Sequence, residues 1–194
     1  MGKIARILMV LALLAGCGNR EFAAPRTLDD ACGIVRQHPD WLRAFRATED
    51  RWGVPVPVIM AIIYQESKFI GNARTPFQWA LGVIPVGRQS SAYGFSQALD
   101  GTWAEYLDDQ ARAGARRDNI RDAADFMGWY MAQTVVETGV PINDARNQYL
   151  AYHEGRSGFL RGSYQSKAWL VRIAAEIDAR ADLYENQLRA CRRI

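Results

Sequence analysis

Histidine is scarce in this sequence, which contains only His38 and His153 among its 194 residues. "HEGRSG", which begins at His153, lacks the second histidine of a zinc-protease helix. Ser96 lies in "GFSQA", where a nucleophile elbow would require glycine in place of Ala98. Neither histidine has an evident partner for a catalytic triad. These absences argue against a zinc protease and against a triad hydrolase.

Net charge is also small, since 24 basic and 21 acidic residues leave the chain at +3. Removal of Lys3 and Arg6 with an N-terminal segment would leave only +1. Proteins that bind nucleic acid through its phosphates carry a clustered basic surface. Nucleic acid is therefore not an expected partner.

The sequence has no apolar run of the roughly 20 residues that a membrane-spanning helix requires. The N-terminal run "ILMVLALLAG" is much shorter, and Lys3 and Arg6 precede it. A basic start, a short apolar core and small residues before a cleavage site are typical of a secretory signal peptide. The sequence therefore predicts a signal peptide at residues 1–16, a tether at 17–31 and one folded domain at 32–194.

"LAGC" at residues 14–17 resembles the bacterial lipobox, after which the cleaved chain begins with a lipid-bearing cysteine. The resemblance implies that Cys17 anchors the protein to a membrane in the cell envelope. Neither Gly18 nor Asn19 resembles the aspartate that retains lipoproteins in the inner membrane. In a Gram-negative cell we therefore expect the periplasmic face of the outer membrane. A plainly secreted protein is the alternative.

Cysteine is scarce too, with three in the chain. If Cys17 carries lipid, Cys32 and Cys191 remain, near opposite ends of the domain. An exported protein folds in an oxidising compartment, where such a pair is expected to form a disulfide. On the chain-entropy model this bond would stabilise the fold by roughly 5 kcal/mol. Two buried free thiols are the alternative.

Apolar residues recur at helical spacing along most of the chain. The pattern predicts helices near residues 41–52, 59–70, 103–107, 120–135, 144–152 and 170–191. Asp118 and Asp144 are predicted to be the N-caps of the fourth and fifth helices. Because alternating strand patterns are weak, the sequence predicts a single all-α domain.

Residues 71–96, "GNARTPFQWALGVIPVGRQSSAYGFS", interrupt this helical pattern between the second and third predicted helices. A connection of this length is usually functional or contains structure of its own. We predict a loop that lines a groove and forms a short β-hairpin around "LGVIPVGR".

A carboxylate interrupts the most apolar predicted helix, in "AIIYQESKF" at residues 61–69. Glu66 follows Ile62 by four residues and Ile63 by three, so it projects from the same stripe as these core residues. Desolvation raises the pKa of a glutamate above its usual value of about 4.3, which suits a general acid for glycosidic bonds. A structural ion pair with one of the many arginines is the alternative.

Three motifs, "QESKF", "AYGFSQALDGTW" and "LAYHEG", follow one another in this order. They resemble those of the lytic transglycosylases related to goose-type lysozyme. In that family a Glu-Ser pair ends the catalytic helix, a Gly-Leu-Met-Gln-like turn lines the sugar groove, and an Ala-Tyr-Asn-Ala-Gly-like segment faces the glutamate. The resemblance covers the chain from about residue 32 and implies a lysozyme-like fold. It also implies cleavage of peptidoglycan glycan strands without a metal or cofactor.

The resemblance implies roles for individual residues of these motifs. Glu66 would be the catalytic acid and base, and Ser67 its hydrogen-bonding neighbour. Gly94 and Gln97 match the ends of the second motif, and Gln97 would bind the acyl-amino group of a sugar. Tyr152 in the third motif would donate a hydrogen bond to Glu66.

The chain departs from the family at four motif positions. Phe95 and Ser96 replace leucine and methionine, while His153 and Glu154 replace asparagine and alanine. These changes are expected to shape the sugar subsites and to leave proton transfer unaltered. Tyr93, Phe95, Trp103 and Trp79 are candidates to stack on sugar rings, and core packing is the alternative, above all for Trp103. The predicted substrate-binding residues are Ser67, Tyr93, Gly94, Phe95, Gln97, Tyr152, His153 and Glu154.

The implied reaction needs one carboxylate. Glu66 would protonate the leaving oxygen of the β-1,4 bond between N-acetylmuramic acid and N-acetylglucosamine, and would then accept the proton of the C6 hydroxyl to give a 1,6-anhydro sugar. A hydrolytic muramidase, with Asp100, Glu105 or Glu154 as its second acid, is one alternative. A non-catalytic lipoprotein that binds wall glycan is the other. No residue identifies a protein partner or distinguishes internal from terminal cleavage.

Overall fold

The computed structural model describes residues 22–191, which contain eight α-helices and one two-stranded hairpin. The helices are α1 (Ala31–Gln37), α2 (Pro39–Trp52), α3 (Val56–Ser67), α4 (Asp100–Asp109), α5 (Ile120–Thr138), α6 (Ala145–Glu154), α7 (Arg156–Leu160) and α8 (Ala168–Cys191). A 3₁₀ helix, Ser163–Ser166, precedes α8. Strands β1 (Phe77–Ala80) and β2 (Ile84–Arg88) pair antiparallel between α3 and α4. The predicted all-α domain with a short hairpin is confirmed.

The predicted signal peptide and the lipidation of Cys17 lie outside the described residues. Between residues 22 and 191, no helix combines the length and the apolarity that crossing a bilayer would require.

Helix α3 lies at the centre of the core. Ile59, Ile62 and Ile63 on this helix are fully buried. The helix packs chiefly against α8 and also contacts α2, α5 and α6. Because neighbours surround α3, the residues in its last turn have fixed positions.

The boundaries of α3 place Glu66 where the chain leaves the core. Pro55 precedes the helix and Pro57 lies in its first turn, where the missing N–H group costs no hydrogen bond. Lys68 and Phe69 end the helix, with left-handed φ values of 51° and 61°. The backbone therefore turns away from the helix axis two residues after Glu66.

The two predicted N-caps have different outcomes. Asp144 caps α6, because its side chain accepts a first-turn N–H group at 2.9 Å. The prediction that Asp118 caps α5 is wrong, because the side chain of Asn119 accepts two first-turn N–H groups there. Asp118 instead accepts the hydroxyl of Tyr93 at 3.0 Å and pairs with Arg116.

Helix α1, which was not predicted, is joined to the last helix by a disulfide. Cys32 and Cys191, the cysteines expected to pair, are bonded, and their Cα atoms are 6.2 Å apart. Gln187 of α8 also accepts the N–H of Ala31 at 2.8 Å and donates to the carbonyl of Asp29 at 2.9 Å. These contacts fix both ends of the described chain against each other.

Candidate active site

Glu66 is half-buried in the last turn of α3. Burial raises its pKa to about 7, against the opposing effects of a hydrogen bond from Tyr149 and the positive charge of Lys68. Of the carboxyls in residues 22–191 whose pKa is shifted, Glu66 alone is shifted upward. A carboxyl with a pKa near neutrality can both give and accept a proton at physiological pH.

Two tyrosines of α6 lie near Glu66, but only one of them donates a hydrogen bond to it. That residue is Tyr149, whose hydroxyl stabilises the carboxylate. The hydroxyl of Tyr152 donates instead to the carbonyl oxygen of Ser96 at 2.6 Å. Burial and the nearby charge of Glu66 raise the pKa of Tyr152 well above its ordinary value. The expectation that Tyr152 hydrogen-bonds Glu66 is therefore corrected.

The second motif forms a tight turn around Gly94 and Gln97. Gly94 has φ 83°, and a Cβ atom there would lie 2.1 Å from the carbonyl oxygen of Arg117, so only glycine fits. Gln97 is also left-handed, with φ 50°. Its amide nitrogen donates to the carbonyl oxygens of Ala73 at 3.0 Å and Gly94 at 2.8 Å. Residues 22–191 supply no donor to the amide oxygen of Gln97, which remains a free acceptor.

A cavity of about 270 Å³ lies where the second and third motifs meet. Its lining includes four predicted site residues and two aromatic residues of α5, namely Gln97, Tyr152, His153, Glu154, Phe126 and Tyr130. Glu66 does not line this cavity. Its charge nevertheless raises the pKa of Tyr152, which does line it. A larger cavity of about 480 Å³, beside the disulfide, contains none of the motif residues.

Glu154, a candidate for the second acid of a muramidase, is held by three polar groups. Lys167 Nζ lies 2.7 Å from one carboxylate oxygen and His153 Nδ1 3.1 Å from the same oxygen, while the Ser163 hydroxyl donates to the other. These hydrogen bonds, that of Lys167 above all, lower the pKa of Glu154 to about 2. Only 4% of the side chain is exposed. The carboxylate therefore stays ionised and its oxygens are occupied.

The transglycosylase SLT domain model matches residues 5–191, nearly the whole chain. The chain belongs to this family. No curated protein matches the chain. Membership in the SLT family implies a glycan-cleaving transglycosylase that acts on peptidoglycan.

In this SLT domain, two of the predicted substrate contacts have buried side chains. Ser67 is 5% exposed, and its hydroxyl donates to the carbonyl oxygen of Ile63 one turn earlier, at 3.2 Å. Phe95 is 3% exposed and packs edge-on against Trp41, with ring centroids 5.6 Å apart. We therefore reassign both residues from substrate contact to support of α3 and of the second motif.

Tyr93 is half-buried, and one face of its ring is covered. The guanidinium of Arg74 lies 4.2 Å from the ring centroid, and that of Arg117 lies 5.5 Å away. The hydroxyl donates to Asp118. The ring therefore packs with arginines in the SLT domain, and its stacking on a sugar ring stays a prediction.

The sequence contains a weak signal for Tyr149. Tyr149 and Tyr152 are three residues apart, a spacing that places both on one side of α6. The same spacing is equally typical of core aromatic residues, and the contact of Tyr149 with Glu66 depends on how α6 packs against α3. Ser163 and Lys167 gave no such signal, because they reach Glu154 from the short elements that follow α6.

Proposed function

We propose that this SLT domain is a lytic transglycosylase in which Glu66 is the only catalytic carboxylate. It would cleave the β-1,4 bond between N-acetylmuramic acid and N-acetylglucosamine and leave 1,6-anhydro ends. The observation that carries the proposal is the contrast between two glutamates: the pKa of Glu66 is about 7, whereas that of Glu154 is about 2. Glu66 can therefore exchange a proton near neutral pH, whereas Glu154 cannot.

The first step of the proposed reaction is protonation of the leaving group. Protonated Glu66 gives its proton to the glycosidic oxygen, and the bond from that oxygen to the anomeric carbon of the muramoyl sugar breaks. The acetamido oxygen of the same sugar supports the positive charge on the anomeric carbon. The hydroxyl of Tyr149 stabilises the carboxylate that Glu66 becomes.

The second step closes a ring within the muramoyl sugar. The Glu66 carboxylate accepts the proton of the C6 hydroxyl as its oxygen bonds to the anomeric carbon. Glu66 thereby regains the proton that it lost, and no water is consumed. Attack from within one ring is favoured by effective molarity when the reacting groups are held in place.

Gln97 is proposed to orient the substrate through its amide oxygen. Both backbone acceptors near this side chain bind the amide nitrogen, which fixes the orientation of the oxygen. An acetamido group of the glycan offers an N–H donor of matching chemistry. The side chain also borders the cavity between the second and third motifs.

Each of the three candidates for the second acid of a muramidase is paired with a cation or exposed. Glu154 is bound by Lys167. Asp100 forms an ion pair with Arg117 at 2.7 Å and its side chain is 68% exposed, while Glu105 lies 4.0 Å from Arg156. None of the three combines burial with a free carboxylate. This supports intramolecular attack over hydrolysis, which requires a positioned water.

Mass spectrometry of fragments released from purified peptidoglycan tests the proposal. The chain without its first 16 residues should release muropeptides one water lighter than their hydrolysed counterparts, and Glu66→Gln should release none. Reducing-end products would instead indicate a muramidase. Substantial release by the Glu66→Gln variant would remove Glu66 from the mechanism, and wall binding without release would indicate a binding protein.

We also propose that Cys17 carries lipid and places the enzyme in the cell envelope, at the periplasmic face of the outer membrane in a Gram-negative cell. The lipobox-like "LAGC" supports this location. Labelling of growing cells with a clickable fatty acid should mark the wild-type chain and leave Cys17→Ala unmarked. A labelled Cys17→Ala chain, or an unlabelled wild-type chain, would contradict lipidation at Cys17.

A further inference from the structure

The hairpin between α3 and α4 concentrates exposed apolar side chains. Six of the eleven large apolar residues that are exposed in residues 22–191 lie on it: Phe77, Trp79, Leu81, Val83, Ile84 and Val86. Leu81 at the tip is 90% exposed and Val83 is 74% exposed. Single exposed apolar residues are ordinary, but a contiguous group of them marks an interaction surface.

The hairpin projects away from the rest of the domain. Among the described elements, β1 and β2 contact only each other and pack against no helix. The turn is closed by a hydrogen bond from the N–H of Val83 to the carbonyl of Ala80, and Leu81 and Gly82 both have positive φ. Asparagine, aspartate or glycine is usual at the first of these two positions. Here that position carries a leucine, so the outermost point of the hairpin is apolar.

The charged residues of the hairpin segment itself have one sign. Residues 67–99 contain three basic residues, Lys68, Arg74 and Arg88, and no acidic residue. Arg74 and Arg88 are exposed and form no ion pair within residues 22–191. Arg88 lies over the ring of Phe77 at the base of the hairpin, 4.2 Å from its centroid. The apolar residues at the tip of the hairpin and the arginines near its start and end complement an anionic lipid surface.

The described chain begins beside the hairpin segment. Phe22 packs against Gly71, where an added Cβ atom would lie 2.8 Å from the phenylalanine ring. Gly71 is six residues from the start of β1. Cys17 lies five positions before Phe22, a chain length that spans at most about 18 Å. A lipid on Cys17, as proposed above, would therefore keep this side of the domain close to a bilayer.

We propose that the hairpin docks on an anionic phospholipid surface. Leu81, Val83 and Trp79 enter the boundary between headgroups and acyl chains, and Arg74 and Arg88 contact lipid phosphates. A glycan strand is a poorer match, because the aliphatic side chains at the tip offer no hydrogen bond to sugar hydroxyls.

Vesicle sedimentation tests the docking surface without the lipid anchor. Every described element of the core lies within residues 22–191, so a chain that begins at Gly18 keeps the whole core. This chain should bind phosphatidylglycerol vesicles more tightly than phosphatidylcholine vesicles. The double variant Leu81→Asp/Val83→Asp should weaken binding by at least about tenfold. Val136→Asp, at an 81% exposed position on α5, is the matched control and should bind as the wild type does.

Charge and glycan contact are tested separately. Arg74→Gln/Arg88→Gln should weaken binding to phosphatidylglycerol alone and reduce its dependence on salt. The proposal would be overturned by absence of wild-type binding, by equal binding to both lipids, or by equal losses of binding in the hairpin and Val136 variants. An unchanged lipid affinity in Leu81→Asp/Val83→Asp together with slower release from soluble glycan would also overturn it and would assign the hairpin to glycan. Vesicle binding uses no glycan, so its outcome is independent of whether the chain is a transglycosylase.

Discussion

At the scale of single residues, the chemistry of the site depends on opposing effects on one carboxyl group. Burial raises the pKa of Glu66, and the Tyr149 hydroxyl and Lys68 charge partly oppose it. The helical stripe that contains Ile62 and Ile63 was sufficient to predict burial of Glu66. The identity of its hydrogen-bond donor was not predictable, because Tyr149 belongs to a different helix and reaches Glu66 through tertiary packing.

Tyr149→Phe should shift the pH dependence of cleavage. The hydroxyl lowers the pKa of Glu66, so its loss raises that pKa. Activity that requires protonated Glu66 falls as pH rises through the pKa, and in the variant this fall should occur at a pH higher by about 0.5–1 unit. The measurement is kcat/KM against pH on soluble glycan.

Tyr152→Phe is the control for this measurement. Its hydroxyl donates to Ser96, so its removal should leave the falling limb of the pH profile in place. Equal shifts in both variants, or a shift in Tyr152→Phe alone, would contradict the assignment of Tyr149.

Glu66→Gln should stabilise the fold in alkaline solution. The pKa of Glu66 is raised from 4.5 to about 7, so its contribution to stability is fully present below pH 4.5 and is lost as pH rises through 7. Glutamine carries no charge, and the advantage of the variant in free energy of unfolding should grow between pH 5 and pH 8, by up to about 3 kcal/mol. Urea unfolding of both proteins at pH 5 and pH 8 measures this advantage. An equal difference in free energy of unfolding between variant and wild type at the two pH values would contradict burial of the charge.

At the scale of elements, long periodic helices were predictable and short ones were not. The apolar spacing over residues 170–191 predicted α8, and that over residues 59–70 predicted most of α3. Helices α1 and α7 have seven and five residues, too few for periodicity to be informative, and they are held by tertiary contacts. The cap of α5 was misplaced by one residue because Asp118 and Asn119 are both good capping residues.

Glu154 links three elements, because it ends α6 and binds Ser163 of the 3₁₀ helix and Lys167 just before α8. Its pKa of about 2 lies below its ordinary value, so its contribution to stability is present above pH 4.5 and is lost as pH falls towards 2. Glu154→Gln should lower the free energy of unfolding at pH 7 by about 1–3 kcal/mol.

The products of the Glu154→Gln variant separate this role from catalysis. Anhydro muropeptides should still be released, because the carboxylate does not take part in the proposed reaction. Loss of release in a variant that remains folded would return Glu154 to the list of catalytic candidates.

At the scale of the whole molecule, one covalent bond joins the first and last described helices. Cys32 and Cys191 are 159 residues apart, so their disulfide closes nearly the entire domain into a loop. Cys32→Ser/Cys191→Ser should lower the free energy of unfolding by about 2–5 kcal/mol. Denaturant unfolding of this variant should match that of the reduced wild type. Equal stability of the oxidised and reduced wild type would contradict the role assigned to the bond.

The hairpin contacts none of the helices described between residues 22 and 191, and this independence has a consequence for how such a domain can diversify. Residues 77–88 can be lengthened, shortened or exchanged without removing a contact from the core or from the turn that holds Gln97. Selection can therefore alter the surface that the protein recognises while the proton-transfer residues stay unchanged. For protein engineering, the same segment is a natural graft position, where a foreign recognition loop could redirect a wall-cleaving enzyme to a different target.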